Sequence, residues 1–264
     1  MDHIIAHNRE RWNALAHANV MHSVPYLQFT REDAIAYVSV HGVLPDVAGK
    51  RVLCLANGGG QASVAFGLLG AEITVLDLSD VQLERDREAA RHHGFPVQTV
   101  QGDMRDLSMF AENHFDIVWQ PYSLNYSPTV EPVFREVARV LKPEGIYQVT
   151  FANPFAQALD DDSWDGTGYR LRGLCLDGED ISHYSPVWEV AQPDGSTIAV
   201  DRPHEFRHNL STVLNTLARN GFILLYLEEW TRQADPLVPG SWAHFTQAAP
   251  LWFDSFWRQH KPAR

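Results

Sequence analysis

Apolar and polar positions change their pattern twice along the 264-residue chain. In the first 45 or so residues, Trp12, Leu15 and Ala16 recur at helical spacing. Residues 30–33 (TRED) have the form of a capping box that opens a second helix. This part of the chain is therefore predicted to form a helical cap.

From residue 51 onwards, short apolar runs alternate with amphipathic segments. The runs predict strands, and the segments between them predict helices with Ser79 as an N-cap and Gly94 as a stop. A turn is expected at residues 142–145. Such alternation indicates βαβ units and a parallel sheet. The predicted strands cover residues 51–56, 73–78, 97–100, 115–119 and 146–151.

After Pro154 the alternation stops. Residues 188–191 and 196–200 flank the sequence QPDG, which predicts a hairpin. A helix at 211–220 and strands at 222–227 and 251–257 follow, the last strand lying near the sheet edge. We therefore divide the chain into an N-terminal cap (1–45), a core (46–154), an insertion or substrate cap (155–208) and a C-terminal part of the core (209–264).

Composition removes several classes of protein. Apolar residues make up 45% of the chain and the formal net charge is −12, which suits a globular protein and opposes binding to nucleic acid. Two cysteines provide neither a disulfide framework nor a zinc-ribbon spacing, and Cys54 lies in an apolar run. The polar N-terminus and the lack of a long apolar run predict a cytoplasmic protein without membrane segments.

The strongest chemical signal is the turn between the first two strands of the core. Gly58 and Gly60 allow the backbone to approach a ligand closely, and the following helix offers free N–H groups. Asp77 ends the next strand about 20 residues later, where a carboxylate accepts hydrogen bonds from ribose hydroxyls. The pattern predicts a site for an adenosine cofactor, and an NAD(P)-dependent oxidoreductase fits the same turn.

Further segments narrow the choice of cofactor. The sequences VLCLANGGG, GAEITVLDLS, QGDMRDL and REVARVLKPEGIYQVTFANP occur in this order. Together they resemble class I S-adenosylmethionine (SAM) dependent methyltransferases, in particular the small-molecule enzymes of methyltransferase types 11 and 25. The resemblance implies an α/β Rossmann-like sheet, mostly parallel with an antiparallel last strand, a helical N-terminal cap and a β-containing insertion. It implies SAM as cofactor and a small molecule as methyl acceptor.

The resemblance also implies which residues bind SAM: the turn holds the methionyl part, the strand-end acid the ribose, and the acid of GDM the adenine. These positions are Ala56, Asn57, Gly58, Gly60, Asp77, Leu78, Gln82, Asp103, Met104, Gln120 and Tyr122. Two positions depart from the family. Cys54 stands where an acid is usual, and Ala56 where glycine is usual, which reduces the expected support for the turn.

Methyl transfer needs a base only if the acceptor must lose a proton. Our catalytic candidates are His183, Tyr184 and His208, with His204, Tyr122 and Asn125 as further acceptor contacts. Trp12 and Tyr26 are candidates to close over the cofactor. Aromatic residues of the cap favour an apolar or planar acceptor; they are Trp164, Tyr169, Tyr184, Trp188 and Phe206.

Residues 204–208 also match H-E-x-x-H, which on a helix binds zinc. Pro203 precedes the match and the amphipathic helix starts only near Ser211, so we expect no metal site. As a strand, the segment would place His204, Phe206 and His208 on one face, directed towards the substrate. A non-catalytic SAM-binding protein and a homodimer remain open alternatives.

Overall fold

The computed structural model describes residues 3–44, 46–192 and 194–261. Its N-terminal part contains helix α1 (His3–His17), a 3-10 turn (Met21–Ser23) and helix α2 (Arg31–Ser39). Thr30 caps α2 and exchanges hydrogen bonds with Asp33, so the predicted capping box is confirmed. Among the described residues, no helix combines the length and the apolar character needed to cross a bilayer.

The core is built on a seven-stranded sheet with helices on both faces. Its first half contains β1 (Arg51–Leu55), α3 (Gln61–Leu68), β2 (Glu72–Asp77), α4 (Asp80–His93) and β3 (Val97–Gln101). Its second half contains β4 (Phe115–Gln120), α5 (Glu131–Val140), β5 (Leu141–Ala152), α7 (Leu210–Arg219), β10 (Phe222–Glu229), α8 (Trp242–Ala248) and β11 (Trp252–Gln259).

The order of the strands explains where a ligand can enter. It runs β10-β11-β5-β4-β1-β2-β3, and β1 pairs in parallel with both β2 and β4. The chain runs from β1 to β2 on one side and later crosses from β3 to β4 on the other side of β1. The connections diverge at this point, which opens a crevice at the carboxyl ends of β1 and β4. The last strand, β11, is antiparallel to both β5 and β10, as predicted, and lies one strand from the edge.

Alternation along β1 divides the interior into two cores. Val52 and Cys54 face a cluster formed with α2, α3 and α4, whereas Leu53 and Leu55 face a cluster formed with α5 and α7. All four side chains are fully buried, so the prediction of a buried Cys54 is confirmed. Burying apolar side chains on both faces is typical of a parallel sheet covered by helices.

The segment 155–208 carries the remaining elements. Short helix α6 (Pro154–Gln157) leads to a small sheet of β6 (Leu159–Asp160) and β7 (Arg170–Leu171). The predicted hairpin is confirmed as β8 (Val187–Ala191) and β9 (Thr197–Asp201); Pro193 of its turn lies outside the described residues. This hairpin packs on α1, since Val190 and Val200 share an apolar cluster with Leu15.

One boundary prediction is wrong. The fifth strand begins at Leu141 rather than at residue 146, and the predicted turn is an irregularity within this strand. Glu144 there has φ +62°, and Lys142 donates a hydrogen bond of 2.6 Å to Asp116 of β4. Leu141 and Ile146 pair with Phe115 and Ile117 of β4, so β5 begins before the predicted turn and residues 142–145 form an irregularity between the two pairs.

Candidate functional site

The turn between β1 and α3 has an unusual backbone. Ala56, Gly58, Gly59 and Gly60 have φ values of +48°, +59°, +50° and +98°. Glycine adopts such values without a steric penalty, whereas Ala56 holds its left-handed conformation at a cost of about 1–2 kcal/mol. The turn brings successive backbone groups to the start of α3, at the carboxyl end of β1.

The N-terminal segment lies directly on this turn. A Cβ atom at Gly59 would be 2.6 Å from the carbonyl oxygen of His22, so no side chain fits there. Gln82 joins the two parts: its Oε1 accepts from Gly59 N at 2.9 Å, and its Nε2 donates to Ser23 Oγ at 2.6 Å. Because both polar groups of Gln82 are used, this side chain holds the turn in place.

Asp77 lies at the end of β2 beside the turn. Its carboxylate accepts a hydrogen bond of 2.8 Å from Ser79 N and is 8% exposed. Burial raises the pKa of Asp77 to about 6, and hydrogen bonds from the backbone of Ser79, Gly58 and Leu78 limit the rise. A buried carboxylate that keeps acceptor capacity towards a crevice suits a hydroxylated ligand.

A second buried acid lies behind the turn. Asp86 of α4 accepts a hydrogen bond of 2.5 Å from Ser63 Oγ of α3, and a Cβ at Gly60 would lie 3.6 Å from its Oδ1. Burial raises the pKa of Asp86 to about 8, and the charge of Asp77 adds to the rise. Burial raises the pKa of Cys54 and the charge of Asp86 adds to the rise, so an acid is close to the position where the sequence has cysteine.

A cavity of about 720 Å³ opens in front of the turn and continues towards the insertion. Both polar atoms of the Asn57 side chain are shielded from solvent there, and neither has a hydrogen-bond partner in the described part of the chain. Buried amide groups normally have partners, so this wall is suited to a polar ligand. The residues at this end are His22, Ala56, Asn57, Gly58, Asp77, Leu78, Gln82 and Met104.

The other end of the cavity is aromatic and also contains the acids Asp161, Asp162 and Glu205. Tyr122, which follows β4, donates a hydrogen bond to Glu205 from the segment before α7. The pKa of Tyr122 is raised by burial and by the Glu205 charge. The aromatic lining residues of this end are Trp12, Tyr122, Tyr126, Tyr184, Trp188, Trp242, Phe245 and Trp252.

Eight of the positions proposed for the cofactor line the cavity, but Gly60, Asp103 and Gln120 do not. The Asp103 carboxylate is paired with Arg105, whose Nη2 lies 2.7 Å from Oδ2. Gln120 is fully buried and donates to the Met104 sulfur and to Ser123 Oγ, both at 3.2 Å. Gln120 therefore supports the wall from behind.

Some of the proposed acceptor contacts also line the cavity and others do not. Tyr184 lines the cavity, but His183 is exposed and does not. His208 is buried, its Nε2 lies 2.9 Å from the carbonyl of Ser127, and burial lowers its pKa. The Asn125 side chain is used in hydrogen bonds to Ala152 N and Phe206 O.

Four other candidates have different outcomes. His204 Nδ1 lies 2.6 Å from Asp180 Oδ2 and is outside the lining. Trp12 lines the cavity, whereas Tyr26 packs edge-on against Phe29 away from it. Among the cap aromatics, Trp164 packs against His244 rather than facing the cavity.

The H-E-x-x-H segment is not helical: it has a single β-bridge, between Phe206 and Asp180, and the next helix begins only at Leu210. The zinc alternative therefore loses its helix. Among the described residues, no group of three or more His, Cys, Asp and Glu side chains could hold a metal ion. The rings of His204 and Phe206 share a face, but that face does not line the cavity. Glu205, on the other face, does. Alternation along an extended segment places Glu205 on the face opposite His204 and Phe206, so the sequence contained this signal. Our assignment of the His204 face to the substrate was wrong.

A glycine turn, a strand-end acid and a cavity at the carboxyl ends of parallel strands define a Rossmann-like cofactor-binding enzyme. A family model described as a methyltransferase domain matches residues 53–149. The uncharacterized methyltransferase YbaJ of Bacillus subtilis is 35% identical over 234 residues, which cover 85% of this chain and 89% of that protein.

Two further proteins are similar over 65% and 87% of the chain. The glycine/sarcosine/dimethylglycine N-methyltransferase of Actinopolyspora halophila is 30% identical over 65% of this chain, which spans 34% of that longer protein. The crystal structure of an S-adenosylmethionine dependent methyltransferase from Mesorhizobium loti has a TM-score of 0.61 at 20% identity, covering 87% of this chain and all of that one. The chain belongs to the SAM-dependent methyltransferase family.

Proposed function

We propose that this SAM-dependent methyltransferase acts on a small-molecule acceptor held beside the cofactor in the cavity. The observation that carries the proposal is one continuous cavity of about 720 Å³, polar at the glycine turn and aromatic at the insertion. That volume lies in the range of small-molecule sites. The net charge of −12 opposes an RNA or DNA acceptor.

The cofactor end assigns roles to the residues that line it. Asp77 would accept hydrogen bonds from the ribose, and the unpartnered amide of Asn57 would bind the methionyl end together with the backbone of Gly58. Leu78 and Met104 would contact the adenine. Ala56 completes this wall, while Gln82 and Gln120 keep it in position without touching the ligand.

Bound SAM supplies a methyl group on a positively charged sulfur, which is already reactive towards a nucleophile. The contribution of the protein is to align the acceptor with that methyl and to exclude water. Tyr122, which follows β4, lines the cavity together with Trp12 from the cap and Tyr184 from the insertion. These three side chains would set the position of the acceptor.

Relatives support a small acceptor, since the Actinopolyspora protein is named for transfer to glycine, sarcosine and dimethylglycine. Of the three histidine and tyrosine residues first considered catalytic, we keep Tyr184 as an acceptor contact. His183 and His208 would have structural roles through their hydrogen bonds to backbone carbonyls, because neither lines the cavity.

The test is transfer of labelled methyl from SAM to three fractions of a cell extract: a small-molecule filtrate, the proteins and the nucleic acids. We expect label in the filtrate alone. Label confined to protein or nucleic acid would overturn the proposal. Calorimetric titration with S-adenosylhomocysteine, with NAD as the control ligand, establishes separately that the cofactor end is intact.

A further inference from the structure

Glu205 is the buried carboxylate at the acceptor end of the cavity. It is 8% exposed, and its Oε1 accepts hydrogen bonds from Tyr122 Oη and, at 3.2 Å, from Gln157 Nε2. Arg202 Nη2 lies 3.6 Å from Oε2, which is longer than a hydrogen bond. One oxygen is thus held by two donors, and the other keeps lone pairs for a ligand.

The charges around Glu205 are matched in pairs. Arg202 faces Glu205, and Arg172, the other arginine of the lining, has Nη1 3.9 Å from Asp161 Oδ1. Asp162, a further acid of the lining, is exposed to solvent. An anionic acceptor would find both described arginines of the lining paired with acids, and a cationic acceptor would find only the solvated carboxylate of Asp162 unpaired. Neither gain offsets the loss of hydration of a charged group, so this end favours an uncharged molecule.

The walls beside Glu205 are flat and apolar. Trp12 packs edge-on against Tyr126, with ring centroids 5.0 Å apart, and against Trp188 at 6.0 Å. Tyr122 and Trp252 form another pair at 6.0 Å. Aromatic faces and edges of this kind bind planar apolar frames with favourable dispersion and quadrupole contacts.

We propose that Glu205 is the catalytic base for an uncharged, flat acceptor that carries a hydroxyl or N–H nucleophile. This inference rests on the proposed function. The lone pair of the acceptor oxygen or nitrogen forms the bond to the methyl carbon, and the methyl–sulfur bond breaks with its electron pair going to sulfur. The acceptor proton moves to Oε2 of Glu205, which later releases it to solvent. Tyr122 and Gln157 are positioning residues that orient the carboxylate.

The acceptor class is tested with four probes on one naphthalene frame, titrated into the protein saturated with S-adenosylhomocysteine. Neutral 1-naphthol and 1-naphthylamine are expected to bind at least about tenfold more tightly than anionic 1-naphthoate or cationic 1-naphthylmethylammonium, a difference of about 1.4 kcal/mol. Preference for a charged probe, or binding of none, would overturn the class. A failure to bind S-adenosylhomocysteine would instead count against the proposed function.

The role of Glu205 is tested by labelled-methyl transfer in Glu205→Gln. The control is Glu189→Gln, because Glu189 is exposed on β8 and outside the cavity lining. With 1-naphthol we expect a loss of about 100-fold in Glu205→Gln, as for removal of a general base, and no loss in the control. 4-Nitro-1-naphthol is already ionised at neutral pH, so we expect it to bind weakly to both proteins. Because it has no proton to lose, its rate of transfer should fall by no more than about threefold in Glu205→Gln relative to the wild-type protein.

Equal losses on both probes would mean that Glu205 has only a structural role, and no loss on either would mean that it is not the base. Either result overturns the proposal. If Glu205→Gln does not fold, Glu205→Asp carries the same comparison. It keeps the charge but withdraws the oxygens by one methylene, so the selective loss on 1-naphthol is still expected.

Discussion

At the scale of single residues, two buried acids next to the glycine turn have different chemistry. Asp77 faces the cavity with a pKa raised to about 6, so it is ionised at neutral pH and able to accept hydrogen bonds. Asp86 lies behind the turn with a pKa raised to about 8, so it stays protonated at neutral pH. The first is suited to a ligand and the second to the interior of the protein.

Asp77→Ala is expected to weaken S-adenosylhomocysteine binding by about 1–3 kcal/mol, because hydrogen bonds to the ribose are lost. The measurement is calorimetric titration at a pH well above 6. Asp80→Ala is the control, since Asp80 is exposed at the start of α4 and does not line the cavity. Unchanged affinity in a folded Asp77→Ala protein would refute the ribose assignment.

The raised pKa of Asp86 predicts how the free energy of unfolding changes with pH. Its ordinary pKa of 3.8 rises to about 8 on folding, so the folded state binds the proton more tightly and loses stability as pH rises between these values. Asp86→Asn has no proton to lose. We expect its free energy of unfolding, relative to that of the wild-type protein, to rise by about 1–3 kcal/mol from mildly acidic to mildly alkaline pH.

Urea unfolding at several pH values measures this difference. Parallel pH dependence in the two proteins would show that Asp86 has an ordinary pKa in the folded state. The comparison uses differences between conditions, so a constant cost of the buried amide does not affect it.

At the scale of elements, the glycine turn depends on the segment that covers it. The 3-10 turn Met21–Ser23 precedes the core by a long stretch of chain, yet it contacts Gly59 and, through Ser23, the side chain of Gln82. The N-terminal cap is therefore part of the wall of the site. Its position and the conformation of the turn should depend on each other.

Gly59→Ala tests this coupling. A Cβ there would lie 2.6 Å from His22 O and 3.0 Å from Val24 O, so the covering segment must move. We expect a loss of at least about 1.4 kcal/mol, or tenfold, in S-adenosylhomocysteine affinity and faster proteolysis near residues 20–24.

Gly94→Ala is the matched control, because Gly94 also has a positive φ of +77° but has nothing within 4 Å of the added Cβ. It should lose about 1–2 kcal/mol of stability through backbone strain and keep its affinity. Similar affinity in the two variants would mean that the cover does not support the turn.

At the scale of the whole molecule, the segment 155–208 is held together by hydrogen bonds and an ion pair of one buried arginine, Arg207. Arg207 is fully buried and donates hydrogen bonds to the Glu179 carboxylate, to the carbonyl of Leu174 and, at 3.2 Å, to that of Gln157. One side chain thus connects the chain before α7 with two earlier parts of the insertion. Glu205, two residues away, takes its place in the cavity from the same segment.

Arg207→Met is expected to destabilise the insertion by about 3–5 kcal/mol, because it removes the buried positive charge beside Glu179 and the hydrogen bonds to the carbonyls of Leu174 and Gln157. Limited proteolysis should then cut within residues 155–208 before it cuts the sheet. Arg170→Met, at an exposed position of β7, should change stability by no more than about 0.5 kcal/mol. Equal resistance of the two variants would contradict this role of Arg207.

Much of the core was predictable because its signals are local. The periods of apolar residues located β1 to β4 and their helices, and Thr30, Ser79 and Gly94 marked helix ends within a few residues. The start of β5 was misassigned because Leu141 pairs with Phe115 of β4, a long-range pair that no short window contains, and this pair places residues 142–145 inside the strand. The relation of Gly58 to Asp77 was also readable, since it lies within one βαβ unit.

The sequence by itself therefore determined the fold class, the glycine turn and the acid at the end of the second strand, because each depends on neighbours along the chain. Only the tertiary structure decided that Glu205 rather than His204 or His208 faces the cavity, and that Asp86 lies near Cys54. Those arrangements bring together residues from distant elements, and burial and long-range hydrogen bonds set the direction in which each side chain points. The cofactor site could be predicted from the sequence because its residues lie within one local unit. The acceptor site could not, because it depends on how the cap and the insertion pack against the sheet.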